Sequence, residues 1–213
     1  TNNVSTAGPA ANGRDQAGAF SAGSWIHFYF IWNGTTLATL SSATAPPTGP
    51  TLPSGYTHWA YIGAVRFNGS SQLYSTTIRG SRVTYKAGSV LSGQTYIVNN
   101  GSASSYTSVS MSSLVPPNAL LVQLEASSYI GTISSSGSQS VMEVDLSVDG
   151  SVTTAGVFCV QNPGGTSGVL AIGGQVIVPN VSQTVYYRHA NSNSGSNSVY
   201  ISVQGYTVPN GGE

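Results

Sequence analysis

Carboxylates and histidines are the side chains of this chain that could do acid–base or metal chemistry, and both are scarce. The 213-residue sequence holds six Asp and Glu residues and three histidines. His27, His58 and His189 lie far apart, and no H-x-x-x-H or H-E-x-x-H pair brings two imidazoles together. No G-x-S-x-G elbow for a serine nucleophile occurs either. The sequence therefore predicts a protein that is not an enzyme, with no catalytic residue, no metal site and no cofactor.

Glu143 and Asp145 are the closest pair of carboxylates that could act together on a substrate. They stand two residues apart, so on a strand they share one face. That spacing is too short for the two carboxylates of an inverting glycosidase, and the two groups of a retaining enzyme usually come from different strands. We therefore expect a solvated acidic face.

Charge content argues against several classes of partner, and a single cysteine excludes an internal disulfide framework. Charged residues make up 6% of the chain and the formal net charge is zero. The six Lys and Arg residues are mostly scattered along the sequence, so we expect no nucleic-acid partner. No apolar run approaches the roughly 18 to 20 residues of a membrane span, so we expect no membrane insertion. Cys159 is the only cysteine and is interpreted as a small core residue.

Alternating apolar and polar residues favour β-strands throughout the chain. In VMEVDLSVDG, residues 141–150, the pattern places Val144 and Leu146 inward and Asp145 and Ser147 outward. The same alternation occurs in ALLVQLEAS and SVYISVQGY. We predict an all-β fold, an antiparallel β-sandwich of jelly-roll type. The proposed organisation is an extended N-terminal arm or linker over residues 1–20, which lack periodicity, and one sandwich domain over residues 21–213.

The segment WIHFYFIW, residues 25–32, is apolar or aromatic at nearly every position. This pattern predicts a central strand covered on both faces, with Trp25 and Trp32 buried and His27 a core histidine bonded to backbone. Asn33-Gly34 follows at once, and other Asn-Gly pairs occur at positions 12, 68, 100 and 210, with Asp149-Gly150 beside them. Because Asn-Gly adopts type I′ turns readily, we expect several of these pairs to be hairpin tips.

A proline-rich stretch, APPTGPTLP, leads into the aromatic sequence SGYTHWAYIGAV. Proline fixes φ and removes a backbone donor, so this stretch predicts a rigid connection that crosses between sheets. Two interpretations remain open. In one, the segment is a structural corner; in the other, it displays Tyr56, His58 and Trp59 to a glycan or a protein.

The same region resembles a β-rich module of proteins on the virion surface of tailed phages and prophages. In that family a W-x-H-x-x-x-I strand leads to a P-x-L-P-S-G-Y-T motif and then to an I-G strand. The matching residues here are Trp25, His27 and Ile31, the residues of PTLPSGYT (50–57), and then Ile62 and Gly63. The resemblance is strongest over residues 14–86 and weaker in VPPNALLVQLEAS and VYISVQGYTV.

The resemblance implies a non-enzymatic structural component of the virion surface, made in the host cytoplasm. It would be a tail fibre that binds a receptor or a head-decoration protein, and its partners would be other virion proteins and host-surface glycans. Tail fibres are usually homotrimers, so the resemblance also implies a homotrimer. One alternative is a carbohydrate-binding module of a larger glycan-active protein, since exposed aromatics stack on sugars. A weaker alternative is a hydrolytic tailspike in which Glu125, Glu143 and Asp145 of different subunits meet.

Overall fold

The computed structural model describes fourteen β-strands, and no helix occurs among the described residues, 1–68, 70, 72–86, 95–130, 140–152, 155–162, 170–191 and 197–209. The strands are β1 (Gly13–Arg14), β2 (Trp25–Trp32), β3 (Leu37–Ser42), β4 (His58–Arg66), β5 (Thr76–Arg79), β6 (Arg82–Tyr85), β7 (Tyr96–Gly101), β8 (Thr107–Ser110), β9 (Leu121–Ile130), β10 (Ser140–Ser147), β11 (Ala155–Asn162), β12 (Leu170–Pro179), β13 (Thr184–Asn191) and β14 (Asn197–Thr207). None of the described residues belongs to a helix that is long and apolar enough to span a membrane.

The chain forms two compact units. Unit 1 consists of Thr1–Lys86, Asn118–Leu120 and Tyr206–Glu213, and unit 2 of Ala87–Pro117 and Leu121–Gly205. Two compact units are compatible with one folding domain, so the expected single domain over residues 21–213 stays a prediction.

The main sheet of unit 1 has the strand order β1-β3-β2-β4. β2 pairs antiparallel with both β3 and β4, and β1 pairs parallel with β3. The predicted central position of WIHFYFIW is thus confirmed. The proline-rich segment joins β3 to β4, which flank β2 in the same sheet, so the prediction that it crosses between sheets is wrong.

Residues 1–20 are hydrogen-bonded to this sheet. The amide of Asn12 donates to Thr39 O at 2.7 Å, and the amide of Asp15 donates to Ser41 O at 2.9 Å. Arg14, Asp15 and Phe20 are buried. The expectation of an extended N-terminal arm is not confirmed, because backbone pairing with β3 ties this segment to unit 1.

A two-strand hairpin, β5–β6, completes the strands of unit 1. Its apolar side packs on β4, where a Cβ built on Gly63 would lie 3.3 Å from Ile78 Cδ1 and 3.6 Å from Val83 Cγ2. Glycine at this position therefore lets the hairpin approach the strand closely. The C-terminal segment joins the same unit, since Val208 N donates to Ser81 O at 2.9 Å.

Unit 2 is built from two groups of antiparallel strands. One has the order β11-β10-β13-β8; in the other, β9 lies between β12 and β14, and β7 pairs with β14. Ser128 of β9 lies 3.2 Å from Nε2 of His189 of β13, so the two groups meet through their side chains. The core is largely aliphatic, and its fully buried members among the described residues include Met111, Val115, Val122, Leu124, Ala126, Leu146, Val185, Val199, Ile201 and Val203.

The predicted all-β antiparallel fold is confirmed, and it is consistent with a β-sandwich. The predicted jelly-roll topology is not confirmed. On β10 the prediction is only half right. Val144 and Leu146 are buried as expected, but Asp145 and Ser147, which were predicted to face solvent, are also buried. The reason for Asp145 is an ion pair, since its Oδ2 accepts from Arg188 Nε at 2.6 Å.

The Asn-Gly predictions have mixed outcomes. Asn33-Gly34 lies in the loop between β2 and β3, with Gly34 at φ +97°, as expected of a hairpin turn. Asn100-Gly101 instead lies inside β7. Gly69, the pair Asn210-Gly211 and the side chain of Cys159 lie outside what the structure describes, so the turns expected at Asn68-Gly69 and Asn210-Gly211 stay predictions.

Candidate functional site

The three predicted contact residues do not form one surface. In the β2–β4 register His58 pairs with Trp32, and Trp59 pairs with Ile31. Directly paired residues point to the same side of a sheet and consecutive residues point to opposite sides. His58 is therefore exposed on one face, whereas Trp59 points to the other. Tyr56, half-buried, precedes β4 in a turn where its amide donates to Pro53 O at 3.1 Å.

Trp59 is held by contacts within unit 1. Its ring meets that of Tyr29 edge-on, with centroids 5.3 Å apart. A Cβ built on Gly49 would lie 2.7 Å from the Trp59 ring, so the proline-rich segment passes directly against the indole. Gly49 also has φ +73°, which other residues adopt only with strain. For Trp59 these contacts favour the interpretation of a structural corner.

Three exposed apolar side chains lie on the opposite side of the same sheet. Phe30, Trp32 and Leu37 have exposed fractions of 45%, 38% and 62%. Trp32 pairs with Leu37 on one side and with His58 on the other, while Phe30 pairs with Thr39 and with Ala60. We call this surface the aromatic face, and define it by Phe30, Trp32, Leu37, Thr39, His58 and Ala60.

The aromatic face carries hydroxyl and imidazole groups but no Asp, Glu, Lys or Arg. Thr39 donates through its amide and its hydroxyl to Asn12 Oδ1, each at 3.1 Å. His58 Nδ1 lies 2.8 Å from the hydroxyl of the adjacent Thr57. Side chains two apart on a strand are about 7 Å apart, so the rings of Phe30 and Trp32 lie side by side along β2.

The prediction that β2 is covered on both faces is wrong. Ile26, His27, Tyr29 and Ile31 are buried, but Phe30 and Trp32 are exposed, including Trp32, which was predicted to be buried. Sequence reasoning missed Phe30 and Leu37 because an apolar residue on a strand gives the same signal whether or not another layer covers it. The alternation of Phe28, Phe30 and Trp32 marked the face, but nothing in the sequence marked it as open.

A chain of polar groups supports β2 from the buried side. Asn118 Nδ2 donates to the Tyr61 hydroxyl at 3.0 Å, and that hydroxyl lies 3.0 Å from His27 Nδ1. We assign the hydroxyl hydrogen to a bond with Nδ1, which places the imidazole hydrogen on Nε2. Burial lowers the pKa of His27 to about 4, as expected of a neutral ring. His27 is thus a core histidine as predicted, although its observed partner is a side chain.

The carboxylates considered for catalysis are spread over unit 2. Asp145 is buried in its ion pair with Arg188, and Glu125 Oε2 accepts from Gln204 Nε2 at 2.8 Å. Asp149 caps a turn: hydrogen bonds from Ser147 and from the amides of Ser151 and Val152 hold its pKa below the usual range. In the part of the chain that the structure describes, no three His, Cys, Asp or Glu side chains are placed to hold a metal ion.

Comparison of the chain with models of known protein families gives no match, and comparison with curated proteins gives no significant similarity.

Proposed function

We propose that this chain is a non-enzymatic component of a tailed-phage virion surface, a receptor-binding tail fibre or a head-decoration protein, which attaches to host-surface glycans through the aromatic face. The observation that carries the proposal is the pair of exposed rings, Phe30 and Trp32, on an uncharged sheet face.

Sugar chemistry fits this surface. The C–H face of a pyranose is apolar and stacks on an aromatic ring, while its hydroxyls bond to hydroxyl, amide and imidazole groups beside the ring. Thr39 and His58 supply such groups next to the rings. A neutral glycan needs no charged partner, and the aromatic face offers none. Exposed apolar patches of this kind commonly mark binding surfaces.

The resemblance to phage modules supports the location on a particle. Its motif residues lie together in unit 1: Trp25, His27 and Ile31 on β2, and the PTLPSGYT segment at the entrance to β4. The aromatic face is formed by these same strands. A homotrimer of the chain remains part of this proposal.

A glycan titration tests the adhesive surface. We expect neutral bacterial-type oligosaccharides to shift tryptophan emission saturably, and we expect Phe30→Ser to weaken that binding at least about tenfold, or 1.4 kcal/mol. Phe30→Ser keeps all three tryptophans, so the optical signal survives. Ile177→Ser, which removes an apolar side chain with an exposed fraction of 62% from unit 2, is the matched control and should bind as the wild type does.

A broad panel without binding, or equal weakening by both variants, would refute glycan binding through the aromatic face. The virion location is tested separately, by mass spectrometry of purified particles from the strain that encodes the chain and by light scattering for the trimer. Glycan binding without the chain in any particle would favour the alternative, a carbohydrate-binding module of a larger glycan-active protein.

A further inference from the structure

A buried arginine, Arg14, lies on β1, the edge strand of the main sheet of unit 1. Its exposed fraction is 7%. Arg14 pairs with Ser41 of β3, and Ser41 pairs with Phe28 of β2, so these side chains leave the sheet on the same side. Arg14 is thus a cation removed from water, and burying a charge is costly unless the charge is paired and hydrogen-bonded.

The hydrogen bonds of Arg14 leave part of its guanidinium group unused. Nη1 donates to Val4 O at 3.3 Å, and Nη2 donates to Ala17 O at 2.9 Å. Nε is buried and has no hydrogen-bond partner. Because a guanidinium group carries about five N–H donors, these two bonds leave Nε and one N–H of each terminal nitrogen without an acceptor among the described residues.

The neighbouring carboxylate does not pair with this cation. Asp15 follows Arg14 directly, so its side chain leaves the sheet on the opposite side. There Asp15 Oδ2 accepts from the amide of Thr51 at 3.2 Å, in the proline-rich segment that also packs on Trp59. No ion pair joins Arg14 to a carboxylate of the described residues. The counter-ion of Arg14 is therefore not supplied by this part of the chain.

A cavity of about 330 Å³ opens beside Arg14. The other described residues that line it are Val4, Ser5, Ala19, Phe20 and Phe67. The two phenylalanines are buried with Ile26 in one core cluster, which fixes the apolar wall of the cavity, whereas the serine and the alanine are exposed. The volume lies at the lower end of the range of small-molecule sites, roughly 300 to 1,000 Å³. The cavity thus combines one cation with an apolar wall and one hydroxyl group.

We propose that this cavity, which we call the Arg14 pocket, binds a carboxylate that carries a small apolar substituent. Carboxylate oxygens accept charge-assisted N–H bonds from a guanidinium group, and these are among the stronger hydrogen bonds of proteins. The bound carboxylate supplies the counter-ion that Arg14 lacks, and the substituent packs on Phe20 and Phe67. The source of this group is a free acid or an acidic substituent of a glycan.

The proposal does not rest on glycan binding by the aromatic face. Ile26, which packs against the phenylalanines of the Arg14 pocket, and Trp32 of the aromatic face stand at opposite ends of β2. At about 3.3 Å per residue, they are separated by roughly 20 Å along the strand. The two sites can therefore be tested independently.

Calorimetric titration of the full chain at low salt tests the proposal with matched probes. We expect benzoate to bind with a dissociation constant of about 1 mM or tighter. Benzamide has nearly the same shape but no charge, and acetate has the charge but only a methyl group, so each should bind at least about tenfold more weakly. N-acetylmuramate carries a lactyl carboxylate that N-acetylglucosamine lacks. Binding of N-acetylmuramate that is tighter than that of benzoate would identify a glycan substituent as the source of the carboxylate, and weaker binding would identify a free acid.

Two variants locate the site. Arg14→Gln removes the cation and should weaken benzoate binding at least about tenfold. Ala19→Leu fills the cavity from an exposed position, keeps the hydrogen bonds of Arg14 and should weaken binding by a similar factor, so it decides the matter if Arg14→Gln does not fold. The matched control is Ala11→Leu, the same change at an exposed position that does not line the cavity, and it should bind as the wild type does.

Three results would overturn the proposal. The first is no heat of binding from benzoate or N-acetylmuramate at about 10 mM, which would mean that water alone solvates the guanidinium group of Arg14. The second is equal binding of benzoate and benzamide, which would show that the site does not recognise the charge. The third is benzoate binding that Ala19→Leu leaves unchanged, or that Ala11→Leu weakens equally, which would place the site outside the Arg14 pocket.

Discussion

His27 is an ionisable side chain buried in the core of unit 1, where burial favours the neutral ring over the charged one. Its exposed fraction is 2%, and its Nδ1 faces the hydroxyl of Tyr61, which is itself held by Asn118. Burial raises the pKa of Tyr61 to about 12, so that group stays protonated wherever the imidazole titrates. Protonating His27 would place a charge in the core beside a hydroxyl, since no carboxylate of the described residues is hydrogen-bonded to the ring.

We predict that His27 makes the protein sensitive to mild acid. The pKa of this ring is about 4 in the folded protein and about 6.5 in the unfolded chain, so the unfolded chain binds more protons between those values. The contribution of His27 to the free energy of unfolding is therefore fully present above about pH 6.5. It is lost as the pH falls toward 4, by up to about 3 kcal/mol. Urea denaturation followed by tryptophan emission at several pH values measures the loss.

The control for this prediction separates His27 from the other histidines. His27→Gln should remove most of the pH dependence, even if it lowers stability at neutral pH, whereas His58→Gln at the exposed position should not. His189, whose pKa is also lowered by burial, contributes in the same direction and explains a residual slope. An unchanged slope in His27→Gln would contradict the assignment.

The β5–β6 hairpin shows how the register of one element places two like charges opposite each other. Its register is fixed by the buried Val83 and by the contact of Ile78 with Gly63, and that register forces Arg79 against Arg82. The repulsion between the two arginines is therefore a consequence of the hairpin register.

We therefore predict that Arg79→Gln stabilises unit 1. Relief of a directly opposed like-charge pair contributes roughly 0.2 to 1 kcal/mol. Urea denaturation at low salt measures the gain. In about 1 M NaCl the charges are screened, so the gain should shrink. A gain of the same size at both salt concentrations would mean that it does not come from charge repulsion.

Strands β2 and β10 show what the sequence can predict of the fold and of the site. Alternation predicted both as strands, and Val144 and Leu146 are buried as expected. The sequence could not predict that Asp145 is buried, because its partner, Arg188, stands 43 residues away and is brought to it by the β10–β13 register. In the same way, the exposure of Phe30 and Trp32 depends on which layers cover β2, and periodicity carries no information on that.

At the scale of the whole molecule, unit 1 is built from segments that are far apart in the sequence. The chain leaves the unit at Lys86, passes through it again at Asn118–Leu120 and returns at Tyr206. Tyr206 is buried and donates its hydroxyl hydrogen to Ala64 O at 2.7 Å. Its ring also meets Trp25 edge-on, with centroids 5.8 Å apart. Tyr206 therefore completes the core that the first 86 residues begin.

We predict that Tyr206→Ala lowers the free energy of unfolding of unit 1 by about 3 to 5 kcal/mol, as for other large aromatics removed from a core. Tyr206→Phe keeps the ring and removes the hydrogen bond to Ala64 O, so it should cost about 1 to 2 kcal/mol. All three tryptophans lie in unit 1, so tryptophan emission during urea denaturation reports on this unit. Wild-type stability in both variants would contradict the closing role of the C-terminal segment.

The division into two units also means that the zero net charge of the chain is the balance of two opposite charges. Five of the six Lys and Arg residues and two of the six carboxylates belong to unit 1, while unit 2 holds one cation and four carboxylates. The formal charges are thus +3 for unit 1 and −3 for unit 2. At low ionic strength we expect such a chain to bind to both cation- and anion-exchange resins and to attract copies of itself. Added salt should suppress both effects, because it screens charges beyond a Debye length of about 8 to 10 Å.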